Sequence, residues 1–231
     1  MISLLKLEFK KFKLLKYGLN FIIITLAILG MTTLMGAADA DGDVMFVTAG
    51  DLFEFGDIII RVTFTIFSGV LLSRLIISEF KNSTIKIMFT YPISRKKIIG
   101  VKLIIIWGFI FAAIILESIL FGLGVQLIDR VIEITPDTII PSELAGRASA
   151  ILYSAVVTSG LGLIPLFFGM RKKSASTTII VAMIVSLLIN STSGNQGESL
   201  FSSTVIPLLL CIIGVMVAFV SYYDIDKKDI N

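Results

Sequence analysis

The chain contains no histidine, a single cysteine (Cys211) and five prolines in 231 residues. Without histidine there is no serine–histidine or cysteine–histidine nucleophile pair and no imidazole metal ligand. One cysteine cannot form a disulfide within the chain. Charge is scarce too: Asp, Glu, Lys and Arg make up 16% of the residues, against about 25% in a soluble domain. Apolar residues take their place, at 56% of the sequence and a mean hydropathy of +0.97. Such a composition cannot cover a core with a water-compatible surface. It reads as an all-α integral membrane protein that performs no covalent chemistry of its own.

A spanning helix needs roughly 20 mostly apolar residues to cross about 30 Å of hydrocarbon. Six segments qualify: 17–36, 58–77, 103–127, 148–170, 174–190 and 204–223. The fifth is the shortest and most polar. Inside lipid the backbone must satisfy its own hydrogen bonds, so these segments are expected to be helical. Pro165 and Pro207 fall within them and are expected to mark kinks. No repeat or low-complexity linker divides the chain, which reads as one domain over 1–231.

Charge orients the helices. With both termini cytoplasmic, the inner segments 1–16, 78–102, 171–173 and 224–231 hold 16 Lys and Arg against five acids. The outer segments 37–57, 128–147 and 191–203 hold two, Arg130 and Arg147. That asymmetry is the positive-inside pattern. The net charge of +3 is the sum of two opposed layers and implies no nucleic-acid partner. The lysine-rich start, the apolar run and Gly36-Ala37-Ala38 imitate a signal peptide. The run exceeds the roughly 7–15 residues of an h-region, however, and a retained first helix is expected.

Residues 2–16 alternate apolar and basic groups. Ile2, Leu5, Phe9 and Phe12 share one side of a helical wheel, with Lys6, Lys10 and Lys13 beside them. Such a helix can lie in the membrane interface, lysines among the headgroups. Glu8 and Lys11 break the segregation; an in-plane helix is the expectation, with a plain basic flank that enforces topology as the alternative.

The segment between spans two and three is the most informative. Ile85, Met88 and Phe89 stand at i, i+3 and i+4 and would share a helical face. Pro92 disfavours a helical Tyr91, so this helix should stop near Thr90. Ser94 can cap a new helix running through Arg95-Lys96-Lys97 into span three. A cytoplasmic helix held between two membrane helices is a mechanical lever.

Glu79, Ser83-Thr84 and Thr90-Tyr91-Pro92-Ile93-Ser94-Arg95 followed by Lys96 resemble the first cytoplasmic loop of ABC-2 type transporter permeases. Leu4 to Lys11 resembles their N-terminal elbow helix. Ser83 stands where glycine is common in that family. Within that family the chain resembles the permeases of bacitracin and lantibiotic self-protection exporters and of phenol-soluble-modulin exporters. The resemblance implies an elbow helix over 1–16 and a coupling helix over 79–90 that docks into a separate ATPase. The coupling contacts would fall on Glu79, Lys81, Thr84, Ile85, Met88, Phe89, Tyr91, Pro92 and Arg95. It further implies two permease chains, identical or paired with a sister, on an ATPase dimer in a bacterial plasma membrane. ATP and magnesium would bind the ATPase, and amphipathic or antimicrobial peptides would be the cargo. The chain's own residues agree on the ATPase: no G-x-x-x-x-G-K-[ST] phosphate loop occurs, and Gly169-Met170-Arg171-Lys172-Lys173-Ser174 lacks both spacing and second glycine.

Three charges lie inside the spans. Glu117 falls about 21 Å along span three from Leu103, at ~1.5 Å per residue. An unpaired carboxylate at that depth is costly, so it should be protonated, paired or facing a wet cavity. Arg61 could reach towards it from the outer end of span two, as part of a polar pathway or as a structural ion pair. Arg74, near the inner end, can snorkel to the headgroups. Ala148, Ala155, Ser159 and Gly162 form a small-residue stripe suited to close packing, as do Ser118 and Gly122. Cys211 reads as a small buried apolar residue. Residues 37–57 carry six acids and no Lys or Arg, and the Asp39-Ala40-Asp41-Gly42-Asp43 run resembles a calcium loop only superficially, because an EF-hand needs more carboxylates at fixed positions and a terminal Glu. They read as a solvated acidic loop able to attract a cationic cargo. The rival to a transport subunit is a membrane scaffold or sensor, which leaves the Tyr-Pro-Ile-Ser-Arg loop unexplained. An intramembrane enzyme is disfavoured by the missing histidines.

Overall fold

The computed structural model describes residues 18–38, 48–78, 95–132, 146–190, 201 and 204–223. Among them every regular element is helical: α1 (Gly18–Ala38), α2 (Ala49–Leu72) continued by a π-turn (Ser73–Ile77), α3 (Arg95–Ile132), α4 (Ala148–Leu161), α5 (Pro165–Lys172), α6 (Ala175–Asn190) and α7 (Val205–Tyr223). Four stretches are long and apolar enough to cross a membrane: Gly50–Ile77, Lys97–Asp129, Ala148–Lys172 and Val205–Tyr223. Phe21–Met35 and Ala175–Asn190 are apolar but shorter. The segments 1–16 and 79–94, with the expected elbow and coupling helices, lie outside the described residues.

Two helices extend beyond the apolar runs that announced them. Span two was expected from residue 58, yet α2 starts at Ala49. The cause is a capping box. The Asp51 carboxylate accepts from the Thr48 backbone N–H (2.9 Å), while the Asp51 N–H donates to the Thr48 hydroxyl (3.3 Å). Each side chain satisfies a helix-end donor that would otherwise lack a partner. Half of the acids expected in a solvated loop, Asp51, Glu54 and Asp57, therefore ride on a helix. Likewise α3 runs 38 residues from Arg95, about 57 Å at ~1.5 Å per residue, longer than the ~30 Å hydrocarbon layer.

Pro165 does not end its span. It has no N–H to offer the Leu161 carbonyl, which accepts instead from Ile164 (3.0 Å); Leu163 bonds to Gly160 in the same i→i+3 manner (3.1 Å). The helix tightens over residues 162–164 and resumes as α5, Ile164 still right-handed (φ −54°, ψ −43°). Pro207, also expected at a kink, sits in the first turn of α7, where its missing N–H breaks no helical bond. The connection from α5 to α6 is very short. Lys173 adopts the left-handed conformation (φ 47°, ψ 36°) and Ser174 N–H reaches back to the Gly169 carbonyl (3.3 Å). Ser174 then caps α6, its hydroxyl accepting from Thr177 N–H (3.4 Å).

The chain divides into two compact units. The described residues of Val62–Ala112 and Ala155–Asn231 form the first, and those of Lys13–Arg61 and Ala113–Ser154 the second. In the first, α5 packs on α6, α7 and the π-turn. Small residues set these approaches. Ser68 donates to the Gly162 carbonyl (2.8 Å). Added Cβ atoms at Gly69, Gly160, Gly169 and Gly214 would collide with Ala182, Cys211, Thr178 and the Gly160 carbonyl respectively. Of the small-residue stripe, Ala155, Ser159 and Gly162 are buried and Ala148 is exposed. Cys211 is half-buried against Gly160, rather than buried as expected. In the second unit larger groups fill the space: Gly56 faces the Phe121 ring, Gly124 faces Leu29, and Phe53 meets Phe121 edge-on at 6.4 Å. α1 and α7 leave Ile22, Leu26, Leu34, Leu209 and Phe219 exposed, a surface suited to lipid.

Candidate functional site

Two groups of polar residues stand out, one in each unit. The first surrounds the end of α2. There the ladder changes from i→i+4 to i→i+5, with Ser78 N–H donating to the Ser73 carbonyl. The next carbonyl, Arg74, accepts from the Ser78 hydroxyl (2.5 Å), and the one after it, Leu75, from Lys102 Nζ (2.9 Å). Side chains thus serve carbonyls where the helical ladder changes its register. Lys102 is almost wholly buried (1% exposed), among Ile98, Ile99 and Ile106 on its own helix. A buried ammonium requires acceptors, and the Leu75 carbonyl is one. Arg74 is exposed, in keeping with a side chain that snorkels.

Lys102 was missed from the sequence because it counted as a basic loop residue. The signal was its setting, Ile98-Ile99-Gly100-Val101-Lys102-Leu103: a lysine inside an apolar run cannot stay solvated. Between its two helices lie Glu79, Lys81, Thr84, Ile85, Met88, Phe89, Tyr91 and Pro92, all outside the described residues. Arg95 opens α3.

The second group joins α2 to the start of α4. Arg147 pairs with Asp57, and its guanidinium carbon sits 4.2 Å from the centroid of the Phe53 ring. Arg61, 8% exposed, carries its charge in the field of Asp57 and Glu54, opposed by Arg147. Two cations and two carboxylates here balance. Nothing in the order of residues pairs Arg147 with Asp57, since the two are 90 residues apart.

Glu117 is fully buried (0% exposed), and neither carboxylate oxygen has a hydrogen-bond partner among the described residues. Arg61, expected as a possible partner, faces Asp57 and Glu54 instead. Thr25 of α1 lies beside Glu117, but its hydroxyl donates to the Phe21 carbonyl (2.9 Å).

A family profile described as "ABC-2 family transporter protein" matches residues 4–189. The chain belongs to the ABC-2 transporter family. It is also 34% identical over 229 residues to the uncharacterized protein YcbO of Bacillus subtilis (strain 168), covering 99% of this chain and 100% of that protein. No solved structure matches it. Membership agrees with the multi-pass helical body and makes this ABC-2 chain a membrane subunit of an ABC transporter, whose ATPase is a separate partner.

Proposed function

We propose that the chain is the permease subunit of an ATP-driven exporter in a bacterial plasma membrane, with six spans, both termini cytoplasmic and a coupling helix over 79–90. Two permease chains, identical or sister, would sit on an ATPase dimer that binds ATP and magnesium. Closure of the ATPases would press the coupling helices and switch the paired spans from inward to outward access. The family match over 4–189 carries this reading. The Glu79, Ser83-Thr84 and Thr90–Arg95 motif supports the location of the coupling helix, with Ile85, Met88 and Phe89 as the apolar knob. Amphipathic or antimicrobial peptides are the proposed cargo, on the resemblance to self-protection exporters, and the acids at 39, 41 and 43 would attract basic segments at the exit.

Co-purification tests the coupling. The wild-type chain should retain its ATPase, and Met88→Glu with Phe89→Lys should release it while the chain stays folded. Retention by the double variant would overturn the assignment, and so would labelling of Lys96 from outside the cell. The cargo is tested by survival of cells expressing both subunits on a panel of cationic peptides. Unchanged survival across the panel would remove peptides as cargo.

A further inference from the structure

The geometry points to Lys102 as a positioning residue that latches the two helices bordering the 79–94 loop, so that a push on the loop moves α2 and α3 together. The inference rests on the proposed coupling role of that loop. The π-turn Ser73–Ile77 continues α2 and lies just ahead of the 79–94 segment. Wider turns of this kind are uncommon and recur at functional sites. A bond from a second helix would keep such a turn from absorbing a displacement of the loop.

Lys102 closes it from the other side of the loop. Its Nζ donates to the Leu75 carbonyl at the centre of the π-turn (2.9 Å), and the side chain is sealed from solvent. A lysine rather than an apolar residue is needed here because a main-chain carbonyl can be held only by a donor, and only a long side chain reaches across from α3. Ile77 adds an apolar contact on the same turn, against Gly169 of α5. The latch therefore ties the root of the loop to its exit helix at a point that water cannot compete for.

The test uses the single native cysteine to advantage. In a Cys211→Ser background, spin labels go on the exposed positions 74 and 97, and their distance distribution is read for the chain in lipid nanodiscs. Lys102→Met should at least double the width of that distribution, while Lys102→Arg, which can still donate, should leave it as in wild type. If the Met variant aggregates, Lys102→Gln is read instead: its side chain stops short of Leu75. An unchanged width in a folded, monodisperse variant would overturn the latch. The same pair is then measured in the ATPase complex. With ATP and vanadate the wild-type width should stay constant and that of Lys102→Met should grow at equal ATPase occupancy; a constant width in both would also overturn the inference. Should the wild-type chain recover no ATPase, the coupling assignment fails, while the nanodisc measurement still decides whether the latch exists.

Discussion

Each of the two units is packed internally by its own means. In the unit containing the π-turn and α5, helices approach through glycine, alanine and serine, and the polar contacts are side chain to main chain: Ser68 to Gly162, Lys102 to Leu75. In the other, the spaces are filled by Phe53, Phe121 and Leu29, and the contact that joins α2 to the start of α4 is side chain to side chain, Arg147 with Asp57. Lipid supplies no hydrophobic force to drive helices together, so close van der Waals packing and interhelical hydrogen bonds must do it. One unit relies chiefly on the first means and the other adds charge. The contrast teaches where each should fail: the first on added volume, the second on lost partners.

The largest effect is expected at Gly214. A Cβ there would overlap the Gly160 backbone carbonyl, which cannot rotate away. Gly214→Ala should lose about 1–3 kcal/mol or more to overpacking, read as a fall in the midpoint of heat-induced aggregation in detergent. Gly160→Ala meets the Cys211 thiol instead, and a side chain can yield, so its loss should be smaller. Equal losses would break the argument from backbone rigidity.

Next comes Arg147→Ala, which removes the partner of a half-buried carboxylate and the cation over Phe53. A loss of about 1–3 kcal/mol is expected, the usual consequence of leaving a buried polar group unsatisfied. Asp57→Asn combined with Arg147→Gln should recover part of it; strict additivity would deny the coupling. Glu117→Gln tests whether the second unit's buried carboxyl does more than pack. The amide has nearly the same shape and carries no charge to bury, so the fold should survive. Unchanged transport with a less stable complex would exclude Glu117 from a cargo pathway.

The smallest effect is expected at Lys173. Its left-handed backbone is strained for a residue with a Cβ, by roughly 1–2 kcal/mol, so Lys173→Gly should stabilise by that amount less the roughly 0.5–1 kcal/mol that glycine's extra freedom costs. Arg171 and Lys172 remain to orient the loop. A clear destabilisation would mean the lysine side chain makes a contact that outweighs its strain.

The sequence determined much of this by itself. Apolar runs near the thickness of a bilayer dictate helices, because nothing else spares backbone groups in hydrocarbon. The Thr48-Ala49-Gly50-Asp51 box, visible in the sequence, sets the start of α2, although hydropathy alone hid it behind the acids at 51, 54 and 57. Pro165 announced a distortion, and a residue without an N–H produced one. Only the tertiary structure decided which polar residues meet. Arg147 finds Asp57 across 90 residues, Arg61 faces acids on its own helix, and Lys102 turns inward although it borders a basic loop. The physical reason is that period and hydropathy report how a segment relates to its solvent. Which donor reaches which acceptor depends on how closely helices approach, and that depends on where glycine permits contact and where phenylalanine forbids it.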